Sequence, residues 1–125
     1  MLDTDVVIEV LRGRKPPARA LADLELSGVR TYCCAVTWTE IFSGIRPGEE
    51  PFTEAFLSGR GEVLIDATTG RRAGAYLARY AKSHGIEVAD ALIAATAVSV
   101  GLRLWTLNRR DYPMPDVTFY DASSA

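Results

Sequence analysis

The segment that most constrains the fold is the apolar run 87–101, in which Glu87 and Asp90 carry the only charges. A helix that is apolar on almost every face is normally buried inside a globular core. This run is shorter than the roughly 20 residues that are needed to cross a bilayer. We therefore predict a buried core helix in a protein that does not enter membranes, with the Asp90 carboxylate at the helix start, where the core meets solvent.

Composition is that of a soluble globular protein, with 48% hydrophobic and 24% charged residues in 125 positions. We expect one domain, 1–125, and a cytoplasmic location, because Cys33 and Cys34 are adjacent in an apolar run and no secretory leader is recognisable. The net charge of −2 argues against bulk nucleic-acid binding. Arginines nevertheless cluster, and the candidates for phosphate contacts are Arg12, Arg14, Arg109 and Arg110.

Short β-rich runs alternate with helical patterns along the whole chain. Strands are predicted at 1–3, 31–36, 62–66, 102–106 and 117–120. Helices are predicted at 5–12, 17–26, 37–44, 49–57, 69–83 and 87–101, with a turn or single helical turn at 108–113. Such alternation implies crossover connections and a mainly parallel sheet of about five short strands, covered on both faces. The predicted fold is a three-layer α/β/α sandwich.

Polar side chains follow several of these strands. Asp3, Glu40 and Asn108 each come after a predicted strand, and ligands of open parallel sheets bind outside the carboxyl ends of the strands. Asp90 reaches the same edge if its helix runs antiparallel to the strand that follows it, as crossover helices do. Asp111, three residues beyond Asn108, flanks the group.

Carboxylates that converge on one point repel one another unless a cation or bound protons compensate. Oxygen ligands without histidine or cysteine partners suit Mg²⁺ or Mn²⁺. Such an ion binds through one or two carboxylates together with substrate phosphates, a pattern that supports hydrolysis of a phosphodiester by a metal-activated water.

Each of these residues also has a purely structural interpretation, and spacing alone leaves both open. Thr37 and Glu40 have the spacing of a capping box. Asp90 fits an N-cap, as Asp3 and Asp5 do for the first helix. Asn108 fits an ordinary turn residue.

Four segments resemble the motifs of PIN-domain proteins of the VapC toxin type, in the family's order and spacing. The first is the opening stretch 2–13, which contains Asp3, and the second is Thr39-Glu40-Ile-Phe-Ser-Gly44. The third is the stretch 88–97 around Asp90. The fourth is Thr106-Leu-Asn108-Arg-Arg-Asp111-Tyr112, which the family usually writes T-x-N/D-x-x-D-F. The resemblance runs from Leu2 to about Asp121.

The resemblance implies a PIN-like fold and a Mg²⁺- or Mn²⁺-dependent endoribonuclease that is the toxin of a toxin–antitoxin pair. It implies RNA as substrate, a homodimer, and a cognate VapB-type antitoxin whose tail fills the groove. Carried over by position, Asp3 and Asp90 are the chief metal ligands, and Glu40 completes the acidic pocket directly or through water. Asn108 holds the fourth catalytic position with Asp111 beside it, and Thr4 and Thr106 orient carboxylates.

Two departures from the family pattern carry expectations. Only Met1 and Leu2 precede Asp3, so the first strand is expected to be short or to begin upstream. Asn108 brings no negative charge to the fourth position, so we expect one well-held metal, with a second only when substrate phosphate is present.

Two other functions fit parts of the sequence. Asp3-Thr-Asp5 matches the D-x-D opening of haloacid-dehalogenase-like phosphatases, but those need a catalytic lysine, and the downstream lysines, Lys15 and Lys82, lack a suitable context. A PIN-fold module that binds RNA or protein without cleaving it is the other alternative. Loss of divalent-dependent RNA cleavage on Asp90→Asn would distinguish an enzyme from such a module.

Overall fold

The computed structural model describes residues 1–122, in which helices alternate with short extended segments as predicted. The helices are α1 (Thr4–Leu11), α2 (Pro17–Leu26), α3 (Ala35–Ser43), α4 (Glu50–Ser58), α5 (Ala67–His84) and α6 (Val88–Ser99). The regular strands are β1 (Tyr32–Cys34) and β2 (Gly61–Val63), and a 3-10 helix spans Arg109–Asp111.

Five extended segments lie side by side and form the sheet. β1 and β2 are parallel, with Tyr32 opposite Gly61. The Leu2 amide donates to the Tyr32 carbonyl at 2.8 Å, which places residues 1–3 on the other side of β1. The first segment, residues 1–3, therefore does not lie at the β2 edge of the sheet.

The other side of this central segment is paired with residues 104–105. Leu2 and Trp105 form a parallel bridge, and the Asp3 amide donates to the Trp105 carbonyl at 2.9 Å. A second parallel bridge joins Leu104 to Phe119. The order across the sheet is thus β2, β1, residues 1–3, residues 104–105 and residues 118–120. The segments predicted at 102–106 and 117–120 are present, but they pair through isolated bridges, two at 104–105 and one at Phe119.

Consecutive residues of the sheet face opposite sides, as the two-residue period of a strand requires. One core cluster contains Met1, Cys34 and Leu104 and is covered by α5 and α6. The other contains Leu2, Cys33 and Trp105 and is covered by α1, α2, α3 and α4. The three-layer α/β/α sandwich is therefore confirmed. The two cysteines are buried and free, and their side chains belong to different clusters.

The α6 helix is the buried core helix that its sequence predicted. Its buried residues are Ala91, Ile93, Ala94, Ala95, Thr96 and Ala97. Their side chains are mostly small, so α6 packs closely against α5 and the sheet. Gly101 ends the run with a positive φ of 69°, which glycine adopts without steric cost. No helix in the described part of the chain is both long and apolar enough to span a membrane.

Two predicted boundaries were wrong at the junctions between strands and helices. The strand predicted at 31–36 ends at Cys34, because α3 begins at Ala35 and not at Thr37. β-Branched Val36 favours a strand locally, but in the helix it packs against the core cluster covered by α5 and α6. Likewise, the strand predicted at 62–66 ends at Val63, and Asp66 caps α5, whose Thr69 amide donates to it at 2.9 Å.

Candidate active site

Asp3 lies at the carboxyl end of the central segment and is the N-cap of α1. The residue is buried, with a relative exposure of 8%. Oδ1 accepts from the Thr4 amide at 2.7 Å. Oδ2 accepts from the Thr106 hydroxyl at 2.7 Å and from the Tyr112 hydroxyl at 2.9 Å. These three donors replace the water that a buried carboxylate loses, and they fix its orientation. Asp3 can therefore cap α1 and belong to the candidate site at the same time.

Asp5 is a second carboxylate beside Asp3, where the sequence suggested only a helix cap or part of a phosphatase-type D-x-D motif. Its Oδ2 accepts from the Leu107 amide at 3.1 Å and lies 3.3 Å from the Thr106 hydroxyl. Its Oδ1 is buried and has no hydrogen-bond partner among the described residues. Burial, and next the charge of Asp3, raise the pKa of Asp5 to about 6. The sequence signal that could have placed Asp5 at the site is its position two residues after Asp3, at the start of α1.

Glu40 is brought to the site by α3 and is exposed. Its Oε1 accepts from the Thr4 hydroxyl at 2.7 Å, and the same hydroxyl lies 3.1 Å from that of Thr37. The capping box considered for Thr37 and Glu40 does not form, because α3 starts two residues before Thr37. Glu40 is instead tied to the residue that follows Asp3.

Asp90 is the third residue of α6 and is partly buried. Its Oδ2 accepts from the Glu87 amide at 2.9 Å, in a reciprocal capping box with Glu87. Its pKa is raised, mainly by burial and also by the charges of Asp111 and Asp3. Asp90 therefore has the capping function that the structural interpretation proposed, and it also interacts electrostatically with two other acids.

Asn108 and Asp111 belong to the fourth motif and lie next to Thr106 at the site. The Asn108 side-chain amide donates to Asp111 Oδ2 at 3.0 Å, and the Asn108 backbone amide donates to the Thr106 hydroxyl at 3.1 Å. The 3-10 helix between them sets this spacing. The fourth position thus combines a neutral amide with a partly buried carboxylate.

The acids of the site fit a hard divalent cation, although they do not enclose one. Within residues 1–122, no three Asp, Glu, His or Cys side chains are grouped closely enough to hold a metal ion by themselves. Mg²⁺ does not need such a cage, because it keeps several waters and binds through one or two carboxylates. Burial is the main cause of the raised pKa values of Asp5 and Asp90, and repulsion from neighbouring carboxylates adds to it. A cation would relieve that repulsion, and it would give a partner to Asp5 Oδ1, which has none among the described residues.

The predicted RNA-binding arginines lie on two sides of this edge. The Arg109 guanidinium stacks 4.9 Å from the Phe119 ring centroid and lies 4.0 Å from Asp121, whereas Arg110 is exposed. Arg12 and Arg14 are exposed beyond the end of α1. Arg12 and Glu40 both line a groove of about 380 Å³ between α1, α3 and α4.

Comparisons with known proteins place the chain in a family. Residues 1–118 match the PIN domain. Ribonuclease VapC19 of Mycobacterium tuberculosis is 36% identical over 119 residues, covering 94% of this chain and 95% of the relative. Ribonuclease VapC10 of the same organism is 33% identical over 115 residues, covering 91% of this chain and 86% of the relative.

The fold is also shared with a solved toxin–antitoxin complex. A chain of the DNA-bound VapBC structure from Salmonella typhimurium superimposes with a TM-score of 0.80 at 25% identity, covering 98% of this chain and 96% of that one. These similarities favour the PIN-type interpretation of Asp3-Thr-Asp5 over the phosphatase-type one.

Proposed function

Because the chain belongs to the PIN-domain family, we propose that it is a metal-dependent endoribonuclease and the toxin of a type II toxin–antitoxin pair. The observation that carries the proposal is the pair of hydrogen bonds that joins three of the motifs at the carboxyl end of the central segment. Asp3 accepts from the Thr106 hydroxyl at 2.7 Å, and Glu40 accepts from the Thr4 hydroxyl at 2.7 Å. Its ribonuclease relatives are similar over nearly their whole length, which supports the same reaction class.

Asp3 and Asp90 would hold Mg²⁺ or Mn²⁺, with Glu40 contributing directly or through water. When bound, the cation supplies Lewis acidity and an activated water for attack on phosphorus. Asp3 is oriented by its three donors, and Glu40 by the Thr4 hydroxyl. Since Asn108 adds no charge, one cation is held firmly, and a second is held only with substrate phosphate.

RNA phosphates would contact Arg109 and Arg110, which adjoin Asn108, and then Arg12 and Arg14. Guanidinium groups suit phosphate because they donate two parallel hydrogen bonds. Stacking on Phe119 already orders Arg109, which lowers the entropy that it loses on binding.

The partners we propose are a VapB-type antitoxin and a second copy of the chain, in the cytoplasm. The antitoxin tail would lie in the groove of α1, α3 and α4. Apolar side chains of Ile8, Leu11 and Ile45 line this groove, which reaches Glu40, so a basic side chain of the tail would meet an acid at its end.

The experiment is cleavage of defined RNAs by antitoxin-free protein with Mn²⁺ and with EDTA. We expect Mn²⁺-dependent cleavage in the wild type and a loss of cleavage of at least 100-fold, on the order of one essential group's contribution, in Asp90→Asn. Asp66→Asn is the matched control, because Asp66 also accepts from a backbone amide in the first turn of its helix. If the wild type cleaves none of the RNAs, the non-catalytic binding module becomes the better interpretation.

A further inference from the structure

Tyr112 ends the fourth motif at a position where the family pattern has phenylalanine, so its hydroxyl is an addition to that pattern. This hydroxyl donates to Asp3 Oδ2 at 2.9 Å across 109 positions of sequence. We propose that Tyr112 is a positioning residue that saturates Oδ2 of Asp3, so that only Oδ1 is left to bind the catalytic cation. This inference rests on the proposed metal site.

The hydrogen bonds of Asp3 leave little freedom for a ligand. A carboxylate offers about four lone-pair positions, two on each oxygen. Oδ2 accepts from two hydroxyls, those of Thr106 and Tyr112, whereas Oδ1 accepts only from the Thr4 amide. Among the described residues, one lone-pair position thus has no donor, and it is on Oδ1. A cation would therefore bind Asp3 through a single oxygen.

The Tyr112 ring is well placed to hold its hydroxyl rigidly. Tyr112 is only 3% exposed and belongs to the core cluster covered by α5 and α6. The Asp3 oxygen that it contacts also accepts from the Thr106 hydroxyl, which lies 3.3 Å from Asp5 Oδ2, so the Tyr112 hydroxyl lies among the acids of the site.

Without the hydroxyl, Oδ2 would keep only the Thr106 donor, and the carboxylate would be free to rotate or to bind with both oxygens. Removing a group that orients a metal ligand typically weakens metal affinity by about 10- to 100-fold. The loss would concern affinity for the ion rather than the chemistry of the bound state. Excess Mn²⁺ should accordingly restore cleavage.

The test is the affinity of purified, antitoxin-free Tyr112→Phe for Mn²⁺ by calorimetry, together with its thermal unfolding in EDTA. We expect Mn²⁺ binding about 10- to 100-fold weaker than in the wild type. Tyr76→Phe is the matched control, because the Tyr76 hydroxyl donates to Asp116 at 2.8 Å and the residue is likewise buried. Tyr76→Phe should lose similar stability and keep the wild-type Mn²⁺ affinity.

The outcomes separate this inference from the proposed function. Equal Mn²⁺ affinity in Tyr112→Phe and the wild type would overturn the inference and leave the metal site intact. A variant that no longer folds would show that the hydroxyl serves the fold and would also overturn it. A wild type that binds no Mn²⁺ would overturn the metal site itself, and the inference with it.

Discussion

Replacing Asp5 by asparagine should stabilise the metal-free protein at neutral pH. Burial, and next the charge of Asp3, raise the pKa of Asp5 from its ordinary value of 3.8 to about 6. A pKa difference of this size corresponds to about 3 kcal/mol for a fully buried group. Partial exposure reduces this to roughly 1–2 kcal/mol through solvent screening. The asparagine carbonyl can still accept from the Leu107 amide, so the hydrogen bond to that residue is kept.

The pH dependence follows from the sign of the shift. Since the folded-state pKa is raised, neutral Asp5 is tolerated below about pH 4, and stability is lost as pH rises through about 6. Asparagine does not ionise and avoids this loss. The stability difference between Asp5→Asn and the wild type should therefore be largest above pH 7 and close to zero near pH 4.

The assay is urea unfolding in EDTA at pH 7.5, 6.0 and 4.5. In thermal unfolding at pH 7.5, the midpoint temperature of Asp5→Asn should lie about 4–8 °C above that of the wild type, because 1 kcal/mol corresponds to roughly 4 °C for a domain of this size. Asp66→Asn is the control of opposite sign, because the amide of Thr69 lowers the pKa of Asp66. It should gain no stability at any of these pH values. A gain in Asp5→Asn that is the same at pH 7.5 and 4.5 would refute the electrostatic reasoning.

Two further predictions concern the metal and the RNA. Mn²⁺ at 100 times its dissociation constant should raise the free energy of unfolding of the wild type by about 2.7 kcal/mol, measured by thermal or urea unfolding. Asp90→Asn should lose most of this gain. Equal stabilisation of both proteins would exclude Asp90 as a ligand. Arg109→Ala and Arg110→Ala should weaken RNA binding and lower the salt dependence of the affinity by about 0.7 per lost phosphate contact, with Mn²⁺ affinity unchanged. An unaltered salt dependence in filter-binding titrations would remove these arginines from the RNA surface.

The sequence predicted those parts of the fold that depend on local patterns. α2 has the predicted bounds, and α6 is buried as its apolar run required. Boundaries failed where tertiary packing overrides local preference, as at Val36, a β-branched residue that folds into α3. The number of extended segments was predicted, whereas their order required the backbone hydrogen bonds.

The sequence proposed the individual residues of the candidate site, whereas the hydrogen bonds among them come from the structure. Motif spacing pointed to Asp3 and Asp90, because these stand at element boundaries. The contacts of Asp5 with Leu107 and of Tyr112 with Asp3 join residues more than 100 positions apart, and they depend on the side-chain orientations in the folded chain. No local pattern encodes that direction, so these contacts are visible only in the folded chain.

The pairing of residues 1–3 with residues 104–105 has a consequence for protein synthesis. Thr106 and Tyr112 reach Asp3 across 103 and 109 positions, so its donors leave the ribosome long after the aspartate itself. Contacts between residues so far apart in sequence form late in folding, because the entropy cost of closing the long loop between them comes first. In a nascent chain, Asp3 therefore has only the Thr4 amide as a donor until Thr106 and Tyr112 have been synthesised and have folded against it. The carboxylate of Asp3 is fully oriented only after residues 1–3 and 104–105 have paired in the sheet.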